Sequence, residues 1–158
     1  MKTMSDILNR IRQTLIESSN EKTRKQSEYF FKEKVTFYGV RSATIQKISK
    51  EFFAEIKDKP KAEIFAACEK LWQSGYMEES FVACDWSERL TKKFEPSDFE
   101  ILERWIKNYV NNWASCDSLC NHTVGDFVMS KKAVMPRTAL RYAIEKMPDE
   151  LKKQAMIK

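Results

Sequence analysis

The stretch Ser97-Asp98-Phe99-Glu100-Ile101-Leu102-Glu103-Arg104-Trp105-Ile106-Lys107-Asn108-Tyr109 decides how the chain folds. Ile101, Leu102, Trp105, Ile106 and Tyr109 recur at the three- and four-residue spacing that lays one apolar stripe along a helix. Ser97 and Glu100, just after Pro96, stand at the separation of a capping box and predict the helix start.

Outward from this stretch the same period repeats. Ile7, Leu8, Ile11 and Leu15 make a stripe over residues 4–18, and residues 22–33 form a basic segment ending at Tyr29-Phe30-Phe31. Gly39 sits in the loop Val35–Val40, where a turn favours a residue without Cβ. Ser42 is the expected N-cap of a helix carrying Ile45, Ile48, Phe52 and Ile56. Pro60 opens the next helix, with Ile64, Phe65, Cys68, Leu71 and Trp72 on its apolar side, and Gly75 stops it. Residues 77–93 continue with Phe81, Cys84 and Leu90. Beyond Asn111-Asn112 a helix runs from about Trp113 to Met129, and Pro136 opens another that ends near Met147-Pro148. The pattern predicts about eight or nine helices joined by short loops. Helix pairs recur roughly every 35–40 residues, near the period of HEAT and armadillo-type stacks, but without a clear sequence repeat, so an irregular α-solenoid and a compact bundle fit the pattern equally well.

Composition agrees. The chain has 158 residues, 42% hydrophobic and 12% aromatic, enough apolar surface for one folded domain over 1–158. Only 3 Gly and 4 Pro leave few residues for the tight turns of an all-β sandwich. The N-terminal Met1–Asp6 lacks the apolar core of a signal peptide, and no apolar run reaches the roughly 18 residues of a membrane span. Four Cys then read as reduced thiols, and a cytoplasmic location without membrane contact is expected.

Charge is segregated. Residues 1–50 carry a balance of +6, residues 51–130 one of −6, and residues 131–158 one of +5, within a net +5. Basic ends around an acidic middle either steer a polyanion onto one face or are solvated helix faces that differ in sign.

One helix carries most of the chemical information. On a continuous α-helix Trp113, Asp117, Cys120, Val124 and Phe127 fall within a stripe roughly 80° wide. An ionised carboxylate on such a face costs free energy unless it is paired or faces a cleft. Beside an aromatic ring it can stabilise a cation developing in a transition state. The alternative is an Asp117 in the first helical turn, satisfied by the helix dipole or a basic neighbour. Cys116 and Cys120 share a face, but His122 points about 200° away from Cys120, so the three do not make a metal site. Cys68 and Cys84 lack paired ligand spacing. No Gly-rich phosphate loop is present, which argues against a nucleotide cofactor.

Three stretches together resemble the AlkD-type DNA alkylation-repair glycosylases. They are Phe37-Tyr38-Gly39-Val40-Arg41-Ser42, then Leu71-Trp72 through Tyr76-Met77-Glu78-Glu79 to Ala83-Cys84-Asp85, and Asn112-Trp113-Ala114-Ser115-Cys116-Asp117 through Val124-Gly125-Asp126-Phe127. The resemblance covers most of residues 5–129. It implies an all-α, HEAT-like α-solenoid of stacked antiparallel helix pairs that removes alkylated, cationic purines from double-stranded DNA without metal or cofactor. By position, Asp117 would be the catalytic carboxylate and Trp113 the aromatic that packs against the lesion's deoxyribose. DNA contacts are expected from Tyr38, Arg41 and Lys47 near the basic start, and from Arg137 and Arg141 in the basic tail.

The C-terminal stretch Lys132–Arg137 with Leu140-Arg141-Tyr142-Ala143 resembles the family's final segment, yet follows Met129-Ser130 almost directly. Members of the family carry several more helices there, with a further aromatic and an arginine. The chain therefore reads as an irregular, internally shortened member with its deletion near 127–132. Apolar surface exposed by that deletion offers a route to a homodimer. A non-catalytic HEAT-like module binding DNA or protein is the alternative function.

Overall fold

The computed structural model describes residues 3–131. Among the described residues every regular element is helical and none is a strand, as in α-solenoid-like all-α folds. They fall into two compact units, divided between Arg89 and Leu90.

The first unit holds five helices: α1 (Met4–Glu17), α2 (Glu21–Phe30), α3 (Ser42–Ile56), α4 (Lys61–Gln73) and α5 (Met77–Glu88). Thr3 and Asp6 form a reciprocal capping box at the start of α1, whose Ile7, Leu8, Ile11 and Leu15 are all buried as their spacing predicts. α1 packs on α3 and α4, and α5 packs on both α3 and α4. The core between them contains Ile45, Ile48, Phe52, Ile56, Ile64, Phe65, Leu71, Trp72 and Trp86. The indole N–H of Trp86 donates to the backbone carbonyl of Ser49 at 3.1 Å, which satisfies the one polar atom of a fully buried ring. α2 differs from its neighbours in having no buried residue. Asn20 caps it by accepting the Thr23 N–H, and Arg24 bridges Glu21 and Glu28 along its surface.

Two glycines end helices or turn the chain at positive φ, Gly39 at 96° and Gly75 at 75°. Gly75 follows α4 as its sequence position predicts. At Gly39 a Cβ would lie 2.5 Å from the Asn20 carbonyl oxygen and 2.7 Å from Cβ of Arg24. That contact seats the loop against the start of α2, and the Asn20 N–H donates back to the Gly39 carbonyl at 2.9 Å.

The second unit begins with the short 3₁₀ turns Thr91–Lys93 and Pro96–Asp98, which lead into α6 (Phe99–Asn108). After a break at Tyr109–Asn112 come α7 (Trp113–Ser118), a π-helical segment (Leu119–Val124) and α8 (Gly125–Lys131). Phe127 is fully buried and its ring meets those of Phe94 and Phe99, with centroids 5.7 and 5.9 Å apart. Leu102, Trp105, Ile106, Leu119 and Val124 complete this core.

Two capping expectations are corrected. Arg41, not Ser42, is the N-cap of α3, and Ser42 is already helical. The residue before α6 is Asp98, and the Glu95 N–H donates to its carboxylate at 2.7 Å. The chain turns one residue earlier than Ser97 because Pro96 starts a 3₁₀ turn ahead of the helix. No described helix is long and apolar enough to cross a membrane.

Candidate active-site helix and loop clamp

Asn112 sets the start of α7. Its side-chain oxygen accepts the Ser115 N–H at 2.9 Å, and its amide donates to Asn111 at 2.9 Å. An Asn in extended conformation here satisfies one of the donors that every helix start leaves open. Trp113 and Asp117 follow at i and i+4, one turn apart.

The expected apolar stripe divides in two. Cys120, Val124 and Phe127 are buried, whereas Trp113 is 56% exposed and Asp117 half-buried. The π segment is the cause. In an α-helix an i+4 row drifts by about 40° per step around the axis. The wider π turn offsets that drift. Ser115, Leu119, Thr123 and Phe127 therefore stay buried as one row, and Cys120, Val124 and Val128 as the next. Trp113 and Asp117 are left at the solvent margin of the same helix.

Asp117 lies beyond the first turn of α7, since that turn contains no acidic residue. Among the described residues no hydrogen bond or ion pair to its carboxylate is found. His122 is exposed, in the π segment. Cys116 is half-buried, with its sulfur 3.9 Å from that of buried Cys120. Among the described residues no three His, Cys, Asp or Glu side chains converge as metal ligands.

In the first unit the loop Thr36–Val40 is clamped onto the start of α5. The Glu78 carboxylate accepts three consecutive backbone N–H groups, from Tyr38 at 3.1 Å, Gly39 at 2.9 Å and Val40 at 3.1 Å. Its neighbour Glu79 accepts the Tyr38 hydroxyl at 2.7 Å and pairs with Arg12 of α1 at 3.1 Å. Both carboxylates are essentially without solvent exposure, so these partners offset a desolvation cost of several kcal/mol per ion. The Tyr38 ring stacks on Tyr76, centroids 3.9 Å apart and planes 9° from parallel. Burial and the Glu79 carboxylate push the Tyr38 phenol well above its ordinary value, which keeps it protonated as a donor. A parallel bridge between Thr36 and Tyr76 completes the join, with the Met77 N–H donating to the Thr36 carbonyl at 2.9 Å.

Tyr38 is thus committed to this clamp through both hydroxyl and ring. Arg41 is exposed at the start of α3, where its carbonyl accepts the Thr44 and Ile45 N–H groups. Lys47 is exposed on α3 and lies 3.9 Å from Glu51. Arg137 and Arg141 lie outside the described residues. Glu78, Glu79 and Arg12 carry roles that their place in the sequence does not announce. The available signal is an acidic pair in the first turn of a helix, with a tight loop of unpaired N–H groups some forty residues earlier.

A family model described as DNA alkylation repair enzyme matches residues 11–134, which takes in α2 through α8 and part of α1. Comparison with curated proteins and with solved structures gave no match.

Proposed function

Because the chain belongs to the DNA alkylation repair enzyme family, we propose that it is a DNA glycosylase that hydrolyses the N-glycosidic bond of N3- or N7-alkylated purines in duplex DNA. The family carries a role in DNA alkylation repair, with DNA as the partner. The observation that supports the finer reading is Asp117, a half-buried carboxylate without an ion pair among the described residues, one turn after a solvent-facing Trp113.

The chemistry asks for little more. An alkylated purine already carries positive charge and leaves as a neutral base. The electron pair of the C1′–N bond departs with the base, and positive charge passes to the sugar. A carboxylate placed at that sugar stabilises the oxocarbenium-like state more than the ground state, which is what lowers a barrier. The same carboxylate orients the attacking water and takes its proton. An indole face one turn away packs against the deoxyribose and adds cation–π attraction as charge develops. Protonation of the leaving group and metal activation of water are not steps in this route.

Arg41 and Lys47, with Arg137 and Arg141, would supply phosphate contacts. These position the duplex without reading sequence, so binding should weaken with salt and show little base preference.

The test is base release from duplex DNA carrying N7-alkylguanine or N3-alkyladenine, native chain against Asp117→Asn. The variant is expected to lose at least roughly 100-fold in rate while still binding DNA. No release by a folded, DNA-binding native chain would overturn the glycosylase reading in favour of a binding module.

A further inference from the structure

The helix that carries Trp113 and Asp117 also holds two thiols in contact. Cys116 and Cys120 are one turn apart on it, with sulfurs 3.9 Å from one another. Cys116 is half-buried, whereas Cys120 is 1% exposed. We propose that this pair is a peroxide-oxidisable dithiol, in which Cys116 is oxidised first and Cys120 closes a reversible disulfide across the turn that contains Asp117.

The asymmetry of exposure assigns the two roles. Cys116 is the more exposed residue of the two, and on this proposal a hydroperoxide in solution meets it first. The Cys116 thiolate attacks the terminal peroxide oxygen, the O–O bond breaks, and one oxygen leaves as water or alcohol, giving a sulfenic acid. The Cys120 sulfur, already in contact, attacks the sulfenic sulfur. An S–S bond forms, the S–O bond breaks, and the hydroxyl leaves with the Cys120 proton as water. In total the dithiol loses two electrons and two protons, and the peroxide is reduced.

The backbone permits the bond. Residues four apart on an α-helix have Cα atoms about 6.2 Å apart, inside the roughly 4.4–6.8 Å range of disulfides. Closing the bond brings the sulfurs roughly 2 Å nearer. Cys116 belongs to α7 and Cys120 to the π segment, so the bridged stretch runs across the junction at Leu119 where the wider turn begins.

Cys68 and Cys84 provide the internal contrast. Both are buried in the first unit, and burial pushes both thiols above their ordinary value. Neither offers peroxide an accessible thiolate.

The bridge would staple the turn on which Asp117 stands. Its effect on base release rests on the glycosylase reading, whereas the disulfide itself does not.

The experiment treats the full chain with hydrogen peroxide, blocks free thiols with iodoacetamide, and maps the peptides by mass. The expected product has Cys116 and Cys120 joined within one chain, Cys68 and Cys84 alkylated, and full reversal by dithiothreitol. In Cys120→Ser, dimedone should trap the sulfenic acid on Cys116. In Cys116→Ser, Cys120 should stay reduced. Cys116 carried to sulfinic acid beside an alkylated Cys120 would overturn the proposal. So would a bridge between chains, or prior oxidation of Cys68 or Cys84. Base release measured before and after oxidation then separates the two readings. A reduced chain that releases no base sinks the glycosylase and leaves the mapped disulfide standing. Release that falls several-fold on oxidation and returns with dithiothreitol is the result expected if both hold.

Discussion

The Glu78 carboxylate accepts the Gly39 N–H at 2.9 Å across 39 residues of sequence, in the middle of three consecutive N–H groups that it holds. Replacing Glu78 by Ala strands those three donors in a site sealed from water. Each buried unpaired donor costs about 1–3 kcal/mol, so the variant should lose roughly 3 kcal/mol or more. Glu78→Gln keeps the shape but turns an N–H₂ group toward donors, and should fall between the two. Urea unfolding of the three chains checks the order, and equal midpoints would show that the clamp contributes nothing.

The two positive-φ glycines separate strain from space. At Gly39 a side chain meets both an unfavourable φ and the backbone of Asn20, whereas at Gly75 nothing lies within 4 Å of the added carbon. Gly75→Ala should cost about 1 kcal/mol, the strain alone. Gly39→Ala should cost about 3 kcal/mol, because the start of α2 must move as well. Similar losses at both positions would show that the approach of the loop to Asn20 is not close.

Trp113 is expected to be a functional residue with little structural value. At 56% exposed it adds little to the core, so Trp113→Ala should change stability by no more than about 0.5 kcal/mol. Base release should nonetheless fall roughly 10-fold or more, with Trp113→Phe retaining part of the rate. A large drop in unfolding midpoint would reassign Trp113 to packing.

Stability should fall as the pH is raised into the alkaline range. Burial pushes the thiols of Cys68 and Cys84 above their ordinary 9.0, and burial with Glu79 pushes the Tyr38 phenol above its ordinary 10.0. The unfolded chain releases these protons at the ordinary values while the folded chain keeps them. It then binds fewer protons than the folded chain, so stability falls as pH rises. Urea midpoints should drop from about pH 8 to about pH 10, and Cys68→Ala with Cys84→Ala should flatten the slope. A slope unchanged in that double variant would place the lability elsewhere.

The helices were legible because burial against a neighbour forces a 3.6-residue period on the apolar positions. Ile7, Leu8, Ile11 and Leu15 show this most plainly, and all four are buried. Asn112 was legible as a helix boundary because a side-chain acceptor before a helix has few other uses. Ser42 and Ser97 have the same chemistry but lost the N-cap position, since the path by which the chain enters a helix decides which residue meets the open N–H groups. The π segment left no mark in the apolar pattern, because a single phase of 100° per residue was enough to place Cys120, Val124 and Phe127 inside. Its effect surfaced only where Trp113 and Asp117 part from those three. The Glu78–Tyr38 and Glu79–Arg12 pairings join residues 40 and 67 positions apart, a separation over which local periodicity carries no information.

α2 buries none of its residues and is tied to the rest of its unit at its first turn, through Asn20, Arg24 and Gly39. Along its surface it carries exposed ion pairs, Arg24 with Glu21 and Glu28 and Lys25 with Glu21, which salt screens over a distance of about 10 Å at 0.1 M. Such a helix opens by local fluctuation at small free-energy cost, independently of the core. Its backbone amides should exchange with deuterium long before those of α4 or α5, and faster still as ionic strength rises. Salt then reaches the fold itself: it loosens one surface helix, with Lys22, Arg24 and Lys25 on it, while the apolar core beneath keeps its packing.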